Sequence, residues 1–577
     1  MPAKPIPYGL ADYNLLIRDG CAYVDKTMYI RSLEEAGYYH LFLRPRRFGK
    51  SLFASTLGCY YDIAEKDNFE LLFSGTDIGQ NPTKRKNAYY VLKFNFSGIR
   101  TDSSEIMLDR FTKKTHTMLL QFCATYHLDI ALEMDSPEIE LFQFFNQFQR
   151  VCNGKIYVII DEYDHFANEL LSSNLKGFKN TVTHEGFVRK WYEVLKEVAG
   201  PIVERIFITG VLPITLDSLT SGFSISDNFS MDSDFNEMMG FTGAEVEQLI
   251  KETIPDRHTP DLMETMTKYY NGYSFSKNGK ERVFNSDMVL YYLKYYQRKH
   301  EAPDELLDQN AVSDYGKLAN FMRFKTPEQN RAILEEVVFK KSTTSKLVSR
   351  YSLGQQFKPE HFTSLLFYLG LLTIKEPDPD QESTSFILQI PNKVMQGLYC
   401  DFLMELITED EKYIPDTGQI AEALRQVSRE GSCEKLTVLM ETFLSSLSDR
   451  DLIRFTEKDL KITMALFIWL TKVYTLKSEY EVERGYIDLV LFPKDPTSDL
   501  DILLFELKYI KKKDIMQKTG KLSETAKEKV IADAVSGATE QLKKYSFATE
   551  FLGRTFSAWA IIFAGTECMY RGVVKAE

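Results

Sequence analysis

The sequence predicts an α/β protein of several domains, and three observations carry that reading. Apolar runs at Tyr39–Leu43, Tyr90–Phe96, Ile156–Ile160 and Arg205–Thr209 are separated by segments of helical length. Such alternation is expected of a parallel sheet with helices on both faces. Around Gly240-Phe-Thr-Gly-Ala-Glu245 the character turns helical, and from about residue 446 a second set of strand-like runs appears, at Ile487–Phe492, Ile502–Leu507 and Thr555–Phe563. A chain of 577 residues is too long for one core. The expected division is 1–240, 241–400, 401–445 and 446–577.

Taken in order, 1–240 is the parallel α/β domain. At its end Thr242 and Glu245 have capping-box spacing before a helix through Val246 and Ile250. The region 241–400 reads as mostly helical. It holds one hairpin at Asn271-Gly-Tyr273 and another within Leu371–Ile390, broken by Pro377-Asp-Pro379. Helices followed by a hairpin resemble a winged-helix arrangement. Residues 401–445 read as a helical connector. In 446–577 a helix through Leu460–Leu470 precedes the strands, and Asp495-Pro-Thr-Ser-Asp499 marks the turn between the first two.

Composition narrows the function. Apolar residues make up 44% and charged residues 26%, as in globular domains, and the 40 Phe and 32 Tyr weigh against disorder. A net charge of −12 excludes a uniformly basic nucleic-acid coat, so such a contact needs a local basic patch. Cys21, Cys59, Cys123, Cys152, Cys400, Cys433 and Cys568 include no C-x-x-C pair, which suits a reducing compartment and offers neither a disulfide framework nor a zinc site. Met1-Pro-Ala-Lys-Pro-Ile-Pro7 lacks the pattern of a signal peptide, and the longest apolar run, near Ala465–Leu470, is too short to span a bilayer. The expectation is a cytoplasmic protein with no membrane partner.

The run Arg44-Pro-Arg-Arg-Phe-Gly49-Lys50-Ser51 lies between the first strand and a helix at Leu52–Tyr61. A loop at a helix N-terminus presents free N–H groups and the positive end of the helix dipole to an anion. In G-x-x-x-x-G-K-[ST], Lys50 reaches the β- and γ-phosphates and Ser51 offers its hydroxyl to Mg²⁺. Arg44 stands where the first glycine belongs, and Gly-Lys-Ser alone is weak. A second segment strengthens it: Val158-Ile-Ile-Asp161-Glu162 is an apolar strand ending in two acids. There Asp161 would hold Mg²⁺ through water and Glu162 would polarise the attacking water. Thr209 ends a later strand, where a γ-phosphate sensor sits in such ATPases.

Together Tyr23-Val-Asp-Lys-Thr27, Arg44-Pro-Arg-Arg-Phe-Gly-Lys-Ser51, Ile160-Asp-Glu-Tyr-Asp164 and Thr209-Gly-Val-Leu-Pro213 resemble the AAA-ATPase-like family, members of which often carry a C-terminal PD-(D/E)XK nuclease domain. The resemblance extends through Tyr270-Asn-Gly-Tyr-Ser-Phe275 and Ile390-Pro-Asn392, and the arginine at position 44 is similar to what the family shows. It implies an ASCE-type P-loop NTPase fold and ATP binding at Lys50, Ser51, Asp161 and Glu162. Phe48 and Gly49 complete the loop, and Arg46, Arg47 and Arg205 are candidate phosphate contacts. After Asp164 the chain departs from the family's proline-containing run, and His165 has no assigned role. Related ATPases assemble so that one subunit's arginine completes the next site; a homo-oligomer is an expectation on that ground, with no such arginine identifiable.

Near the C-terminus Asp488 lies in Gly485-Tyr-Ile-Asp488, and Glu506 and Lys508 lie in Leu503-Leu-Phe-Glu506-Leu-Lys508. Glu506 and Lys508 share a strand face, because side chains alternate with period two. If the two strands form a hairpin, Asp488 and Glu506 can share Mg²⁺, which activates water, while Lys508 orients that water and stabilises developing charge. The triplet alone is common. Planted among Ile487, Leu489, Val490, Leu491, Leu503, Leu504, Phe505 and Leu507, it places charge in buried strands, which is costly unless paired or metal-bound. The resemblance further implies a restriction-endonuclease-like fold, an accessory metal-site acid at Glu457, and a helical glutamine at Gln541. Tyr509 and Lys511, Lys512, Lys513, Lys518, Lys521, Lys527 and Lys529 form the local basic patch for a phosphate backbone.

The resulting expectation is an ATP-binding and ATP-hydrolysing protein coupled to a Mg²⁺-dependent nuclease acting on nucleic acid, DNA foremost. The alternative is a nucleotide-dependent switch or scaffold whose nuclease fold binds nucleic acid without cutting it. A phosphotransferase ranks last, since no second constellation would bind an acceptor.

Overall fold

The computed structural model describes residues 3–99, 103–165, 186–213, 225–255, 260–308, 327–349, 358–377, 384–407, 416–447, 452–453, 455–471, 473–482, 485–495, 498–511, 524–545, 551 and 555–574. The chain forms two compact units, Met1–Ile333 with Lys341–Gln396, and Leu334–Lys340 with Gly397–Glu577.

The first unit is built on strands β1 (Tyr39–Leu43), β2 (Tyr90–Asn95), β3 (Ile156–Asp161), β4 (Val203–Gly210) and β5 (Asp227–Asn228). They pair in parallel in the order β2-β3-β4-β1-β5. All six residues of β3 are buried, which is why Ile156-Tyr-Val-Ile-Ile-Asp161 reads as a continuous apolar run rather than an alternating one. β4 separates the loop-bearing β1 from the acidic β3, the strand order of ASCE-type sheets. Trp191, on helix Phe187–Val198, packs edge-on against Phe94, Phe96 and Phe111 and ties the helical layer to β2. The carboxyl ends of β1, β3 and β4 face the same way, the end where open parallel sheets bind ligands.

Beyond this sheet the Thr242–Glu245 capping box is present, opening helix Gly243–Thr253. The expected hairpin at Asn271-Gly-Tyr273 is instead a wide turn. Tyr273 bridges Val283 and Phe241 bridges Phe284. Gly272 sits at φ +103°, with the Pro391 carbonyl oxygen 2.1 Å from where a Cβ would stand. The Asn-Gly pair serves close backbone approach rather than a two-residue hairpin. Strands β6 (Ser342–Lys346), β7 (Thr373–Pro377) and β8 (Ser385–Gln389) make a three-stranded antiparallel sheet ordered β6-β8-β7. The β7–β8 hairpin is the one read within Leu371–Ile390, and its Asp378 and Pro379 lie outside the described residues.

The second unit carries β9 (Tyr474–Val482), β10 (Gly485–Pro493), β11 (Ile502–Ile510), β12 (Phe556–Ala564) and β13 (Glu567–Val574), ordered β13-β12-β11-β10-β9. The sheet is mixed: β11 and β12 are parallel, with helix Glu524–Tyr545 in the crossover, and the other pairs are antiparallel. Residues 401–445, read from sequence as a connector, lie within this unit. Helices Thr417–Glu430 and Glu434–Ser446 bury Ile420, Leu424, Val427, Leu436, Met440 and Phe443, and Phe443 meets Phe467 edge-on at 5.5 Å.

Candidate nucleotide-binding and metal-nuclease sites

The loop after β1 turns through two left-handed residues, Arg47 at φ +70° and Gly49 at φ +88°, into helix Lys50–Tyr61. Lys50 Nζ donates to the carbonyls of Arg44 (2.9 Å) and Pro45 (2.8 Å), so its ammonium sits inside the loop it closes. Burial pulls its pKa down to about 8, against the opposing charges of Asp161, Asp164 and Glu162. Asp161 is buried and raised by desolvation, with the Ser51 hydroxyl hydrogen-bonded to it. Glu162 follows in a left-handed conformation, φ +52°, and is held low chiefly by His165, whose Nδ1 is 3.4 Å from Oε2. Asp164 accepts the N–H groups of Val211 and Leu212 and locks the end of β3 to the end of β4.

Lys50, Ser51, Glu162, Asp164 and His165 line a cavity of about 390 Å³. Arg46, Lys50, Ser51 and Glu162 form its polar side, and Leu10, Tyr23, Met238, Met239, Phe241 and Leu290 its apolar side. A phosphate cradle beside an apolar wall has the form of a nucleotide pocket. Arg46 lines it, close enough for its charge to lower the pKa values of both Lys50 and Glu162.

Four sequence candidates have side chains engaged elsewhere. Arg47 also lines the cavity, but its guanidinium is paired with Asp287 (2.7 Å) and Asp308 (3.1 Å). Phe48 also lines the cavity, while its buried ring lies edge-on to Tyr273 and Phe275. Thr209 is fully buried and spends its hydroxyl on the Phe42 carbonyl, 2.9 Å away. Arg205 lies toward the amino end of β4, donating to the carbonyls of Gly37 and Glu34, and is a structural arginine rather than a phosphate contact.

In the second unit β10 and β11 pair antiparallel as expected. The ladder ends with Leu489 opposite Phe505, so the next rung sets Asp488 beside Glu506 on one face. Both carboxylates are buried. Asp488 Oδ2 accepts the Leu507 N–H at 2.9 Å, and Oδ1 meets Lys461 Nζ at 2.6 Å. Glu506 Oε1 accepts from Lys508 Nζ at 3.0 Å, while Oε2 is buried with no partner among the described residues. Desolvation first, and then the charge of Asp488, hold Glu506 well above the usual carboxylate range. Glu457 Oε1 closes the ring, 3.1 Å from Lys461 and 3.5 Å from Lys508.

Sequence reasoning missed Lys461. The available signal was its place four residues after Glu457 and its being the last charged residue in helix Glu457–Leu470. Glu457, expected as an accessory metal-site acid, stands at the rim of the carboxylate pair. Among the described residues no group of three or more His, Cys, Asp or Glu side chains could hold an ion, and two lysines engage Glu457. Gln541 is half-buried between Ala538 and Leu542, and among the described residues no hydrogen bond joins it to the carboxylates. Tyr509 turns its ring edge to Phe455 at 5.0 Å. Of the basic patch, Lys511, Lys527 and Lys529 are described, whereas Lys512, Lys513, Lys518 and Lys521 lie outside the described residues.

Two facing carboxylates fit a hard divalent cation that keeps much of its water shell, as Mg²⁺ does. The orphaned Glu506 Oε2 is the kind of buried acceptor such an ion satisfies.

Residues 7–220 match the model of a family described as predicted AAA-ATPase, and residues 455–572 that of the PD-(D/E)XK nuclease superfamily. A protein of Azotobacter chroococcum, named only as an uncharacterized protein in the vnfD 5′ region, is 25% identical over 428 residues, covering 74% of this chain and 75% of that one. Loop, acidic strand and facing carboxylates fall inside the matched segments, so the chain joins an AAA-ATPase-like domain at 7–220 to a PD-(D/E)XK nuclease superfamily domain at 455–572.

Proposed function

We propose that the chain binds and hydrolyses ATP through its first unit and cleaves phosphodiester bonds of nucleic acid, DNA foremost, at Asp488 and Glu506 with Mg²⁺. The observation that carries the nuclease reading is the buried pair of facing carboxylates, one oxygen of which lacks a partner. When bound, the cation supplies an activated water and neutralises phosphate charge. The chain's own residues do the rest. Lys508 is placed beside Glu506 to orient the water and steady the charge that develops on the phosphate. In the nucleotide cavity Lys50, now on two loop carbonyls, would meet the β- and γ-phosphates, Arg46 would add positive charge, and Ser51 with Asp161 would hold the cation. Glu162, ionised beside His165, takes up the attacking water's proton.

Fusion in one chain supports coupling of the two activities. Supercoiled DNA, linear DNA and single-stranded RNA should be offered to the full chain with Mg²⁺, with and without ATP. Wild type is expected to cut at least one of them, Asp488→Ala none, and Lys50→Ala to lose the response to ATP. Binding without cutting by wild type under every condition favours the scaffold reading. Equal cutting by wild type and Lys50→Ala, with and without ATP, removes the coupling.

A further inference from the structure

The two carboxylates of the pair are not equivalent. Among the described residues Glu506 Oε2 has no partner, whereas both Asp488 oxygens are taken, Oδ2 by the Leu507 N–H and Oδ1 by Lys461 at 2.6 Å. A cation can therefore meet Glu506 as it stands, but to bridge the pair it has to take Oδ1 from Lys461. An ammonium and a divalent ion cannot share one oxygen in a buried setting without strong repulsion. Lys461 has somewhere to go: its side chain is a quarter exposed and Glu457 Oε1 is 3.1 Å from Nζ. Asp488 is buried and Lys461 is the ammonium it meets, so removing Lys461 would strand its carboxylate.

We propose that Lys461 is the built-in counter-ion of this site, holding Asp488 until a divalent cation arrives and swinging to Glu457 when it does. It thereby sets the cation affinity as a positioning residue. The inference rests on reading Asp488 and Glu506 as a cation seat. The two lysines then have different roles. Lys508 stays with Glu506, whose second oxygen is free for the ion, and Lys461 has to yield.

The test is calorimetric titration of Mg²⁺ into the nucleotide-free full chain as wild type, K461M, K461R and D488N. Binding that D488N abolishes reports this site rather than Ser51 and Asp161. K461M is expected to tighten that binding at least tenfold, and K461R to leave it within about threefold of wild type. The melting temperature of K461M should fall below wild type without Mg²⁺ and approach it at saturation. Should K461M not fold, K461Q, neutral yet able to donate to Asp488, has to show the same tightening. D488N-sensitive binding that is unchanged or weaker in the neutral variant overturns the role of Lys461 and leaves the cation seat standing. No D488N-sensitive binding in any folded form removes the seat and this inference with it.

Discussion

Arg44 occupies the position where a glycine opens most phosphate loops, and its surroundings explain why a large cation is tolerated there. The side chain is buried, turned under the loop, with its guanidinium between the rings of Phe42 (4.2 Å) and Phe275 (4.3 Å). It donates to the carbonyls of Leu43, Ser230 and Phe235 and so ties the loop to residues 230–235. Arg44→Met removes these three buried hydrogen bonds and is expected to destabilise the protein by roughly 3 kcal/mol in denaturant unfolding. A loss below about 1 kcal/mol contradicts the assigned structural role. His40, on β1, is also buried, and desolvation, followed by the charge of Arg205, lowers its pKa to about 4. In the unfolded chain it takes up a proton near pH 6.5. The unfolded state thus binds more protons between these values. The contribution of His40 is complete above pH 6.5 and is lost as pH falls through about 4, roughly 3 kcal/mol in all. Unfolding midpoints at pH 7, 5 and 4 should fall less steeply for His40→Gln than for wild type.

At the scale of elements, Gly272 is a point of failure. Its φ of +103° disfavours any side chain, and an added Cβ would meet the Pro391 carbonyl. Gly272→Ala is expected to cost at least about 2 kcal/mol, read as a lowered melting temperature. How far the sequence revealed these elements follows from burial. β1, β3, β4, β10, β11 and β12 were legible because they lie inside a sheet and read as apolar runs, and the edge strand β2 because Val91, Leu92 and Phe94 are buried. β9 and β13 were not. They are the edges of the second sheet, and the half-exposed Glu567-Cys-Met-Tyr-Arg-Gly of β13 carries no strong pattern. Asp488, Glu506 and Lys508 were legible because charge among apolar strand residues is conspicuous. Lys461 was hidden because its partner lies 27 positions away on a strand, a contact that only the fold creates. Thr209 misled for a related reason: position at a strand end does not say whether a hydroxyl faces the cavity or the adjacent β1, and here it bonds Phe42.

For the whole molecule, two compact units imply two ligand responses that can be told apart. A ligand that binds only the native state stabilises it by about 2.7 kcal/mol at a hundredfold excess over its Kd. ATP is therefore expected to raise the unfolding transition of the first unit, and Lys50→Ala to abolish that rise; an equal rise in both proteins would contradict the assignment of the phosphate cradle. Among the described residues no helix is long and apolar enough to cross a membrane. The central claim is that Asp488 and Glu506 act as a pair on a divalent cation to break phosphodiesters. Its most direct measurement is the initial rate of DNA cleavage against Mg²⁺ concentration, for wild type and Glu506→Gln. The expected result is a saturable, Mg²⁺-dependent rate in wild type, reduced at least a hundredfold in Glu506→Gln at every concentration. Cleavage by Glu506→Gln at the wild-type rate, or cleavage by wild type that persists in EDTA, would contradict it.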